Sequence, residues 1–405
     1  MIVEILPSKA QGIVEAPPSK SMAHRLLLAA GFAAGESEIA NLAQSNDVAA
    51  TLDCLNALGA RISIHGDTAT ITGIDPRFRK AAATLPCRES GSTLRFLLPL
   101  CLLSDAEATL TGTEKLLSRP LSVYESLCRQ GRLRFEPGKT SISVAGPLKS
   151  GAFVFSGGIS SQFVTGLLYA LPLLPADSEI RLLPPIESRS YIDLTLSALE
   201  AFGVSAFWAN ETTLRIPGGQ SYSPRRVSVE GDWSNAAFLE GLNLLGNDVR
   251  VTGLNPESLQ GDRVYRMHFA ALQSGTPTID LRDCPDLGPV LFALAGALHG
   301  ATFTGIERLR LKESDRIAVM QEELKKFGVR TEASANTLTV FPGITAPRAQ
   351  LFGHNDHRVV MADALLCTSV GGSIAGAEAV AKSYPDFFDR YRSLGVDIHE
   401  LDQQK

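Results

Sequence analysis

The chain has 405 residues, of which 44% are hydrophobic, and it carries a formal net charge of −5 at pH 7. This composition supports a sizeable core and two domains, and it excludes a disordered chain. The net negative charge argues against nucleic acid as the main partner, and no apolar run is long enough to predict a membrane span or a membrane partner. Because residues 1–5 have the pattern of a strand and not of a signal peptide, we expect the protein in the cytoplasm.

The cysteines and histidines indicate neither a disulfide framework nor a metal site. No pair of the six cysteines has CxxC spacing, and most lie in apolar helical context, which predicts buried free thiols. His354 and His357 lie three residues apart without a convincing set of carboxylates, so no metal is predicted. The chain contains neither a GxxxxGKS/T loop nor a GxGxxG that opens a βαβ unit, and we therefore predict no cofactor.

The first predicted helix follows Pro17-Pro18 and opens with Ser19-Lys20-Ser21. Two prolines end a strand, and Ser19 or Ser21 can cap the helix. A lysine is unfavourable here because the helix dipole is already positive at this end, and Arg25 lies one turn further on the face of Ser21. This pattern is expected if an anion occupies the helix tip. The alternative is an ordinary capped helix with a solvated Lys20 and Arg25.

A pattern of two helices and a hairpin recurs six times, and two of the copies are degenerate. A glycine ends the second helix of each copy. The first four of these glycines are spaced evenly, because each lies 72 residues after the one before it (131 − 59 = 72), whereas the fifth follows after 53 residues (328 − 275 = 53). Each glycine is predicted to take the left-handed conformation at a helix C-terminus. These glycines are Gly59, Gly131, Gly203, Gly275, Gly328 and Gly395.

Twelve helices follow from this repeat, two in each βαβαββ unit. They are predicted near residues 20–33, 47–58, 91–103, 120–130, 160–172, 190–202, 233–245, 262–273, 286–298, 313–327, 355–369 and 384–394. The fold class is α/β, with two domains of three units each, and a stacked solenoid is the alternative. The segment 219–226 is rich in Gly, Ser and Pro and is the natural boundary between the domains.

Lysines and arginines open several helices where the dipole disfavours them. Each such residue is expected to reduce the stability of its helix by a few tenths of a kcal/mol up to about 1 kcal/mol, and nothing local is expected to offset this cost. A charge-assisted hydrogen bond to a phosphate or carboxylate returns roughly 1.5–3 kcal/mol, so anionic ligands are predicted. Surface solubility is the alternative for any one of them. The residues are Lys20, Lys312, Arg316, Arg358 and Lys382.

Carboxylates and hydroxyls accompany these cations at the helix starts. Asp286 and Glu313 suit acid–base work if the site is shielded from water, and helix capping is their alternative role. Segment 157–162 combines small residues with the adjacent hydroxyls of Ser160 and Ser161, which suits a phosphate. His357 is either a proton carrier or a histidine that bonds the backbone. If the helices of each domain lie parallel, their positive ends converge on one face, and two such faces opposed would form an electropositive cleft.

Eight segments occur in an order that is specific, although each is weak by itself. They are Ser19-Lys20-Ser21 with Arg25, 91–95, Ser118-Arg119-Pro120, Ser160-Ser161-Gln162-Phe163, Glu230-Gly231-Asp232, 311–316, Asn355-Asp356-His357-Arg358 and 382–386. In this order the chain resembles the EPSP synthase family over essentially its full length. The resemblance implies a two-domain inside-out α/β barrel with three βαβαββ units in each domain. The expected domains are residues 18–225 and residues 226–405 with 1–17, because the first strand of the family pairs into the C-terminal domain.

The resemblance also implies a reaction and its residues. The family moves the carboxyvinyl group of phosphoenolpyruvate to the 5-hydroxyl of shikimate 3-phosphate, and it releases phosphate through a tetrahedral intermediate. The implied catalytic residues are Asp286, Glu313 and Lys20. The implied contacts of shikimate 3-phosphate are Lys20, Ser21, Arg25, Ser160, Ser161, Gln162, Ser188, Asp286 and Lys312. The implied contacts of phosphoenolpyruvate are Lys20, Gly91, Arg119, Gln162, Arg316, Arg358 and Lys382.

We expect a monomer that closes around its two substrates and excludes water. Glu89 and Ser92 stand where the family usually has Asn and Thr, and Arg308 stands where it has an Asn that contacts the acceptor. The loop after Gly131 is also short. These departures bear on the acceptor contacts and on the response to glyphosate, and not on the class of reaction.

Two other functions share part of this pattern. UDP-N-acetylglucosamine carboxyvinyltransferases have the same fold and donor, but they typically carry a reactive Cys in a mobile loop and an Asn after the first Lys, whereas Ser21 follows Lys20 here. A non-catalytic protein that only binds phosphorylated metabolites would gain nothing from Asp286 and Glu313 among its cations.

Overall fold

A computed structural model describes residues 1–401. It contains two compact units: the N-terminal unit, Pro18–Glu230, and the C-terminal unit, which is Met1–Pro17 with the chain from Gly231 onward. The sequence analysis puts the boundary after Arg225. The strand Arg226–Ser228 instead pairs in parallel with Glu36–Ala40, so the chain changes units between Glu230 and Gly231.

The helices and strands follow the predicted repeat, and all twelve predicted helices are confirmed, together with one additional short helix, α4. The helices are α1 (Lys20–Gly31), α2 (Asn46–Leu58), α3 (Gly91–Cys101), α4 (Glu114–Leu117), α5 (Ser122–Gly131), α6 (Ser161–Ala170), α7 (Arg189–Ala201), α8 (Trp233–Leu244), α9 (Tyr265–Ser274), α10 (Gly288–Ala297), α11 (Arg316–Lys326), α12 (His357–Val370) and α13 (Phe387–Ser393). The strands are β1 (Ile2–Ile5), β2 (Gln11–Glu15), β3 (Glu36–Ala40), β4 (Arg61–His65), β5 (Thr68–Thr72), β6 (Ala83–Pro86), β7 (Ala108–Thr111), β8 (Arg134–Pro137), β9 (Ser141–Ala145), β10 (Ala152–Ser156), β11 (Ser178–Leu183), β12 (Phe207–Trp208), β13 (Thr213–Ile216), β14 (Arg226–Ser228), β15 (Asp248–Thr252), β16 (Thr278–Asp280), β17 (Ala301–Thr304), β18 (Thr331–Ala333), β19 (Thr337–Val340), β20 (Leu351–Phe352), β21 (Gly372–Ala375) and β22 (Ile398–Leu401).

Five of the six sheets have the same construction: the first two strands are parallel, the third is antiparallel to the second, and the fourth is antiparallel to the third. The orders are β14-β3-β5-β4, β6-β7-β9-β8 and β10-β11-β13-β12 in the N-terminal unit, and β16-β17-β19-β18 and β20-β21-β1-β22 in the C-terminal unit. Five of the six predicted βαβαββ units are therefore confirmed. Through residue 401 the strands form separate sheets and not one closed barrel.

The first strand of the chain completes a sheet of the C-terminal unit. In β1, Val3 faces Ile374 of β21 on one side and Glu400 of β22 on the other, and both pairings are antiparallel. The start of the chain and the last described strand thus share one sheet. This is the pairing that the family resemblance implies.

Among residues 1–401, the sixth sheet contains the parallel pair β2 and β15 and no further strand. After α9 the chain passes Gly275 and enters β16 directly, without the hairpin that follows the second helix in the other copies. The missing hairpin accounts for the short interval between Gly275 and Gly328. It also leaves one edge of β15 without a neighbouring strand in the described part of the chain.

The side chain of Asn243 covers part of this edge. The Asp248 N–H donates to the Ala10 carbonyl, and the Thr252 carbonyl accepts from the Ala16 N–H, so both residues bond on the side of β2. Val249 follows Asp248 along the strand, and its backbone N–H and carbonyl therefore point to the opposite edge. There the Asn243 amide donates to the Val249 carbonyl at 2.8 Å and accepts from the Val249 N–H at 2.7 Å. One side chain therefore replaces two of the backbone bonds that a hairpin strand would make.

Two predicted helix ends are wrong. Gly275 ends α9 with φ 159° and ψ −147°, which is an extended and not a left-handed conformation. Gly59 closes α2 in the left-handed region as expected, with φ 110°. Gly131 remains helical, and Arg132 takes the left-handed conformation instead, with φ 52° and ψ 40°. The helix runs one residue further because the Arg132 N–H still reaches the Arg129 carbonyl, at 3.3 Å.

Each unit buries the first helix of each repeat along most of its length, whereas α5 buries only Tyr124 and Cys128 and its other residues are half-buried or exposed. Helix α10 is buried along nearly its whole length and is apolar on all sides, as expected for a helix at the centre of a unit. Strand β9, in contrast, buries every second residue, as expected for a sheet with one face to solvent. Helices inside and sheets outside are the inside-out arrangement that the resemblance implies. All six cysteines are free and buried, which confirms the prediction. Among the described residues, no helix is both long enough and apolar enough to cross a membrane.

Candidate active site

Lys20 opens α1 and forms an ion pair with α2. Ser19 caps the helix by accepting from the Met22 N–H, and this places Lys20 in the first turn. Its Nζ lies 2.9 Å from Asp47 Oδ2, and the two side chains are only 13% and 12% exposed. The tips of α1 and α2 therefore meet at a largely buried ion pair.

Arg25 lies one turn further along α1 and is 3% exposed. Its guanidinium donates to the carbonyls of Ser21 and Tyr191, at 2.6 and 2.8 Å, and to the hydroxyl of Thr195, at 3.0 Å. These acceptors are neutral, and the part of the chain through residue 401 supplies no carboxylate that pairs with Arg25. Burial lowers the pKa of Arg25 to about 10. A buried cation without a counter-ion is a favourable place for an anionic ligand.

Gly91 opens α3 directly against the guanidinium of Arg119. A Cβ at this position would lie 2.4 Å from Arg119 Nη1, so only glycine allows this approach. Ser90 caps the helix by accepting from the Thr93 N–H. Arg119 Nε is buried and has no hydrogen-bond partner within residues 1–401. The tip of α3 thus combines helix amides with a cation that has an unsatisfied N–H.

Gln162, in the first turn of α6, joins that helix to α3. Its Nε2 donates to Ser92 Oγ at 2.9 Å, and its Oε1 accepts from Arg95 Nη1 at 2.7 Å. Ser92, one of the departures from the family pattern, therefore orients Gln162. This amide is held from both ends before any ligand binds.

Three of the four predicted serines stand at the starts of α6 and α7, and the fourth, Ser21, lies in the first turn of α1. Ser160 caps α6 by accepting from the Gln162 N–H, and Ser161 is the first helical residue. Ser188 is 2% exposed and takes the left-handed conformation, with φ 55° and ψ 41°, directly before α7. Because the Tyr191 carbonyl of α7 accepts from Arg25, the start of α7 lies beside the Arg25 guanidinium.

In the C-terminal unit, the polar cluster is centred on Arg316, which opens α11 and is 1% exposed. Its guanidinium nitrogens lie 2.9 Å from each of three carboxylates, Asp286, Glu313 and Asp356. Burial would lower the pKa of Arg316, but the three negative charges outweigh it and raise that pKa. Arg316 therefore holds the two predicted proton-transfer groups beside each other.

Asp286 contacts three cations. It lies in the 3₁₀ turn Pro285–Leu287 before α10, at 3.1 Å from Lys312, 2.9 Å from Arg316 and 3.4 Å from Arg358. Burial disfavours the ionised carboxylate, but the charges of Arg358, Lys312 and Arg316 outweigh it and hold the pKa of Asp286 well below its usual range. The Asp286 carboxylate is therefore ionised at neutral pH.

Neutral groups also hold two further cations of this cluster, Arg358 and Lys382. Arg358 Nη2 donates to the Ser234 hydroxyl at 2.9 Å, and its Nη1 has no hydrogen-bond partner within the described chain. Lys382 Nζ donates to the Asn355 carbonyl at 2.8 Å. His357 is the first residue of α12 and is 1% exposed, with its Nδ1 3.9 Å from Asp356.

The expectation that nothing local offsets the helix-start cations is wrong for Arg316, whose guanidinium lies 2.9 Å from Glu313, three residues earlier in the chain. Residues far away in sequence offset these cations as well. Asp47 pairs with Lys20 from 27 residues away, and Asp356 pairs with Arg316 from 40 residues away. Such partners are invisible to a rule that considers only the local helix. Sequence reasoning did not select Asp47 or Asp356 as site residues, although both occur in the polar segments at helix starts.

The sequence analysis also missed a possible metal-ligand group and a contact of Arg308. Atoms of Glu322, Glu323 and His354 lie within 4.8 Å of one another. The ammonium of Lys326 already lies 2.8 Å from Glu323 and 3.8 Å from Glu322, so these carboxylates have a counter-ion. Arg308, which departs from the family pattern, donates to the carbonyl of Arg282 at 2.7 Å.

Comparison with known proteins decides the family. The sequence model of EPSP synthase, 3-phosphoshikimate 1-carboxyvinyltransferase, matches residues 6–391. The chain belongs to the EPSP synthase family. It is therefore a transferase of the shikimate pathway, and the family binds phosphoenolpyruvate and shikimate 3-phosphate. The predicted activity, that of a 3-phosphoshikimate 1-carboxyvinyltransferase, is therefore confirmed by the family.

Relatives and solved structures of the family cover nearly the whole chain. The 3-phosphoshikimate 1-carboxyvinyltransferase of Clostridium kluyveri is 38% identical over 419 residues, which span 98% of each chain. That of Clostridioides difficile is 35% identical and spans 100% of this chain and 99% of the relative. The structure of EPSP synthase from Acinetobacter baumannii superimposes with a TM-score of 0.78 at 22% identity, over 98% of this chain and 99% of the other. The enolpyruvyl transferase NikO from Streptomyces tendae does so with a TM-score of 0.79 at 17% identity, over 98% of both chains. These two structures confirm the fold class.

Proposed function

We propose that both polar clusters serve the family reaction, and that the residues implied by the resemblance keep those roles in this chain. The acceptor, shikimate 3-phosphate, is bound by Lys20, Ser21, Arg25, Ser160, Ser161, Gln162, Ser188, Asp286 and Lys312. The donor, phosphoenolpyruvate, is bound by Lys20, Gly91, Arg119, Gln162, Arg316, Arg358 and Lys382. Asp286, Glu313 and Lys20 carry out the catalytic steps.

The observation that carries this assignment is the contrast between the two clusters. Arg25 in the N-terminal unit is a buried cation with neutral acceptors, which suits binding of an anion without acid–base chemistry. In the C-terminal unit Asp286 and Glu313 are held against Arg316, which suits proton transfer beside a bound anion. One cluster is therefore suited to binding and the other to chemistry on a phosphorylated donor.

The reaction needs proton transfers in both of its stages, and the carboxylates can take part in them. The 5-hydroxyl of the acceptor loses a proton as its oxygen bonds to C2 of phosphoenolpyruvate, and C3 gains a proton to become a methyl group. In the second stage C3 loses a proton and the C2–O bond to phosphate breaks. We assign the base of the first stage to Asp286, because its cations keep it ionised, and the second proton-transfer group to Glu313. Lys20 stabilises charge on the donor.

The two rival functions are less well supported. Ser21 and not Asn follows Lys20, and all six cysteines are buried, unlike the reactive loop Cys typical of UDP-N-acetylglucosamine carboxyvinyltransferases. A protein that only binds phosphorylated metabolites would not need two carboxylates on Arg316. We also propose that the enzyme works in the cytoplasm as a monomer, without a metal, a cofactor or a nucleic-acid or membrane partner, and sedimentation of the purified protein tests the monomer.

A phosphate-release assay tests the reaction. The protein is incubated with phosphoenolpyruvate and either shikimate 3-phosphate or UDP-N-acetylglucosamine, and inorganic phosphate is measured. We expect release only with shikimate 3-phosphate. The Lys20→Met variant should be slower by orders of magnitude while circular dichroism still shows a folded protein; its melting temperature should fall, because Asp47 loses its partner in a largely buried ion pair. The proposal would be contradicted if phosphate were released with UDP-N-acetylglucosamine and not with shikimate 3-phosphate, or if neither acceptor led to phosphate release.

A further inference from the structure

A buried chain of hydrogen bonds links the first three long helices of the N-terminal unit below their tips. His24 Nδ1 lies 2.8 Å from Thr51 Oγ1, Thr51 Oγ1 lies 2.7 Å from Thr93 Oγ1, and Thr93 Oγ1 lies 2.7 Å from Ser90 Oγ. The four residues, which we call the His24 relay, are each 1% exposed. They come from α1, α2, α3 and the cap of α3. The family assignments used above give none of them a role.

The hydrogen count gives the relay one direction. Thr93 uses its only hydroxyl proton to donate to Ser90, so it must accept from Thr51. Thr51 has then used its own proton and must accept from His24 Nδ1. His24 is therefore the neutral tautomer with the proton on Nδ1, and its Nε2, which has no hydrogen-bond partner within residues 1–401, is the bare nitrogen.

The surroundings keep His24 in this neutral state. Burial, together with the charges of Lys20 and Arg25, lowers the pKa of His24 to about 3. The ring therefore gains no charge in the physiological range and remains a donor to Thr51. A cationic His24 would add a third positive charge at the tip of α1.

The relay lies below the helix tips to which substrate contacts are assigned. His24 is one turn from Lys20 on α1, and Ser90 is the cap immediately before Gly91 on α3. We propose that His24, acting through Thr51 and Thr93, is a positioning residue that keeps the tip of α1 carrying Lys20 in place relative to the tip of α3 carrying Gly91. This inference rests on the proposed function, in which Lys20 and Gly91 both contact phosphoenolpyruvate.

Paired variants separate this role from simple packing. Thr51→Val removes the hydroxyl at nearly constant volume, whereas Thr51→Ser keeps it. His24→Leu removes the donor, whereas His24→Asn keeps an N–H at the position of Nδ1. We expect Thr51→Val and His24→Leu to raise KM for phosphoenolpyruvate about tenfold, with a smaller change in kcat, and the two conservative variants to stay near wild type. That change corresponds to about 1.4 kcal/mol. The double variant should raise KM no more than either single one, because the relay acts as one unit.

Thr109→Val is the matched control, because it breaks a hydroxyl pair of 3.1 Å with Ser143 in the same unit, away from the helix tips. It should leave KM unchanged. If Thr51→Val lowers the melting temperature but keeps the wild-type KM, the residue only packs and the positioning role is wrong.

Nitrogen NMR of the His24 imidazole tests the relay without any activity measurement. A proton on Nδ1 and a bare Nε2 at neutral pH are expected, and a proton on Nε2 would overturn the relay. A wild-type protein that released no phosphate from the two substrates would contradict the proposed function, and this spectrum would still decide the direction of the relay.

Discussion

The buried arginines of this protein are of two kinds, and their partners predict different roles. Arg25 has neutral acceptors, whereas Arg316 is paired with three carboxylates at 2.9 Å. An anion that approaches Arg25 meets no competitor, but one that approaches Arg316 must share it with Asp286, Glu313 and Asp356. The first arrangement favours tight binding, and the second couples binding to movement of the carboxylates.

Asp286→Asn should separate binding from chemistry. We expect the variant still to bind shikimate 3-phosphate, because an asparagine can hydrogen-bond the acceptor in place of Asp286 and the contacts around Arg25 are untouched. Phosphate release should be about 10²- to 10⁴-fold slower, which is the usual contribution of a general base. Calorimetric titration of shikimate 3-phosphate and the phosphate-release rate measure the two effects. Asp283→Asn, at an exposed neighbouring position, is the control. Unaltered phosphate release in the Asp286 variant would remove that residue from the mechanism.

Asp363 makes stability depend on pH in the opposite sense to a paired carboxylate. It is 1% exposed on α12, and neither carboxylate oxygen has a hydrogen-bond partner in the described structure. Burial, with the nearby charge of Glu323, raises the pKa of Asp363 well above its ordinary value. The folded state therefore holds this proton more tightly than the unfolded state, and stability falls as the pH rises above the unfolded pKa of about 3.9.

Asp363→Asn should remove this loss. The free energy of unfolding of the variant, compared with wild type, should improve by up to about 1.4 kcal/mol for each pH unit above about pH 4, until the folded pKa is reached. Urea unfolding at several pH values measures the difference. The exposed Asp105→Asn provides the baseline. If the two proteins lose stability in parallel with pH, Asp363 is not the group responsible.

Helix starts bring together most of the predicted site residues, and the strands hold those starts in position. In the N-terminal unit, contacts between Lys20 and Asp47, and between Gln162 and Ser92, join the tips of four helices. Strands of the repeated sheets come directly before three of these four helices: β3 before α2, β6 before α3 and β10 before α6. The repeat therefore produces several helix N-termini of the same kind, and an anion is favoured at each of them.

Where the repeat loses its hairpin, Asn243 is expected to protect the exposed edge of β15. Asn243→Ala removes two hydrogen bonds to Val249 and should lower the free energy of unfolding by about 1–2 kcal/mol. The uncovered edge should also promote association between chains. Chemical unfolding and light scattering as a function of protein concentration measure the two effects. Asn210→Ala, in an exposed turn, is the control. A variant with wild-type stability and no association would show that the edge needs no cover.

The chain passes between its two units twice, at Pro17–Pro18 and at Glu230–Gly231. The Asp232 N–H donates to the Pro17 carbonyl at 2.7 Å in the C-terminal unit, and the Ser19 N–H donates to the Glu230 carbonyl at 2.8 Å in the N-terminal unit. Each crossing is thus anchored on both sides, which leaves few residues able to act as a hinge.

If both clusters bind the same pair of substrates, ligands should draw the units together. We expect small-angle scattering to show a smaller radius of gyration with both substrates, or with shikimate 3-phosphate and an unreactive analogue of phosphoenolpyruvate. Lys20→Met, which weakens donor binding, should reduce the change. A radius that does not respond to saturating ligands would argue against closure.

The sequence predicted the repeat well because its signals are local. Helix-ending glycines, apolar periodicity and helix-start serines each act within a few residues, and all twelve predicted helices are present. The same locality explains the errors. The left-handed residue after α5 is Arg132 and not Gly131, and the domain boundary moves to Glu230 because β14 pairs with β3, which is far away in sequence.

By itself the sequence determined the family, the α/β repeat and the positions of several site residues at helix starts, namely Lys20, Arg25, Asp286 and Arg316. It could do so because the order of the motifs and the signals for helix starts are local features of the sequence. Only the tertiary structure decided which charges are compensated. It pairs Lys20 with Asp47 and Arg316 with Asp356, leaves Arg25 with neutral acceptors, and builds the His24 relay from three helices. The physical reason is that ion pairs and buried hydrogen bonds depend on distance in space, and packing brings together residues that are tens of positions apart.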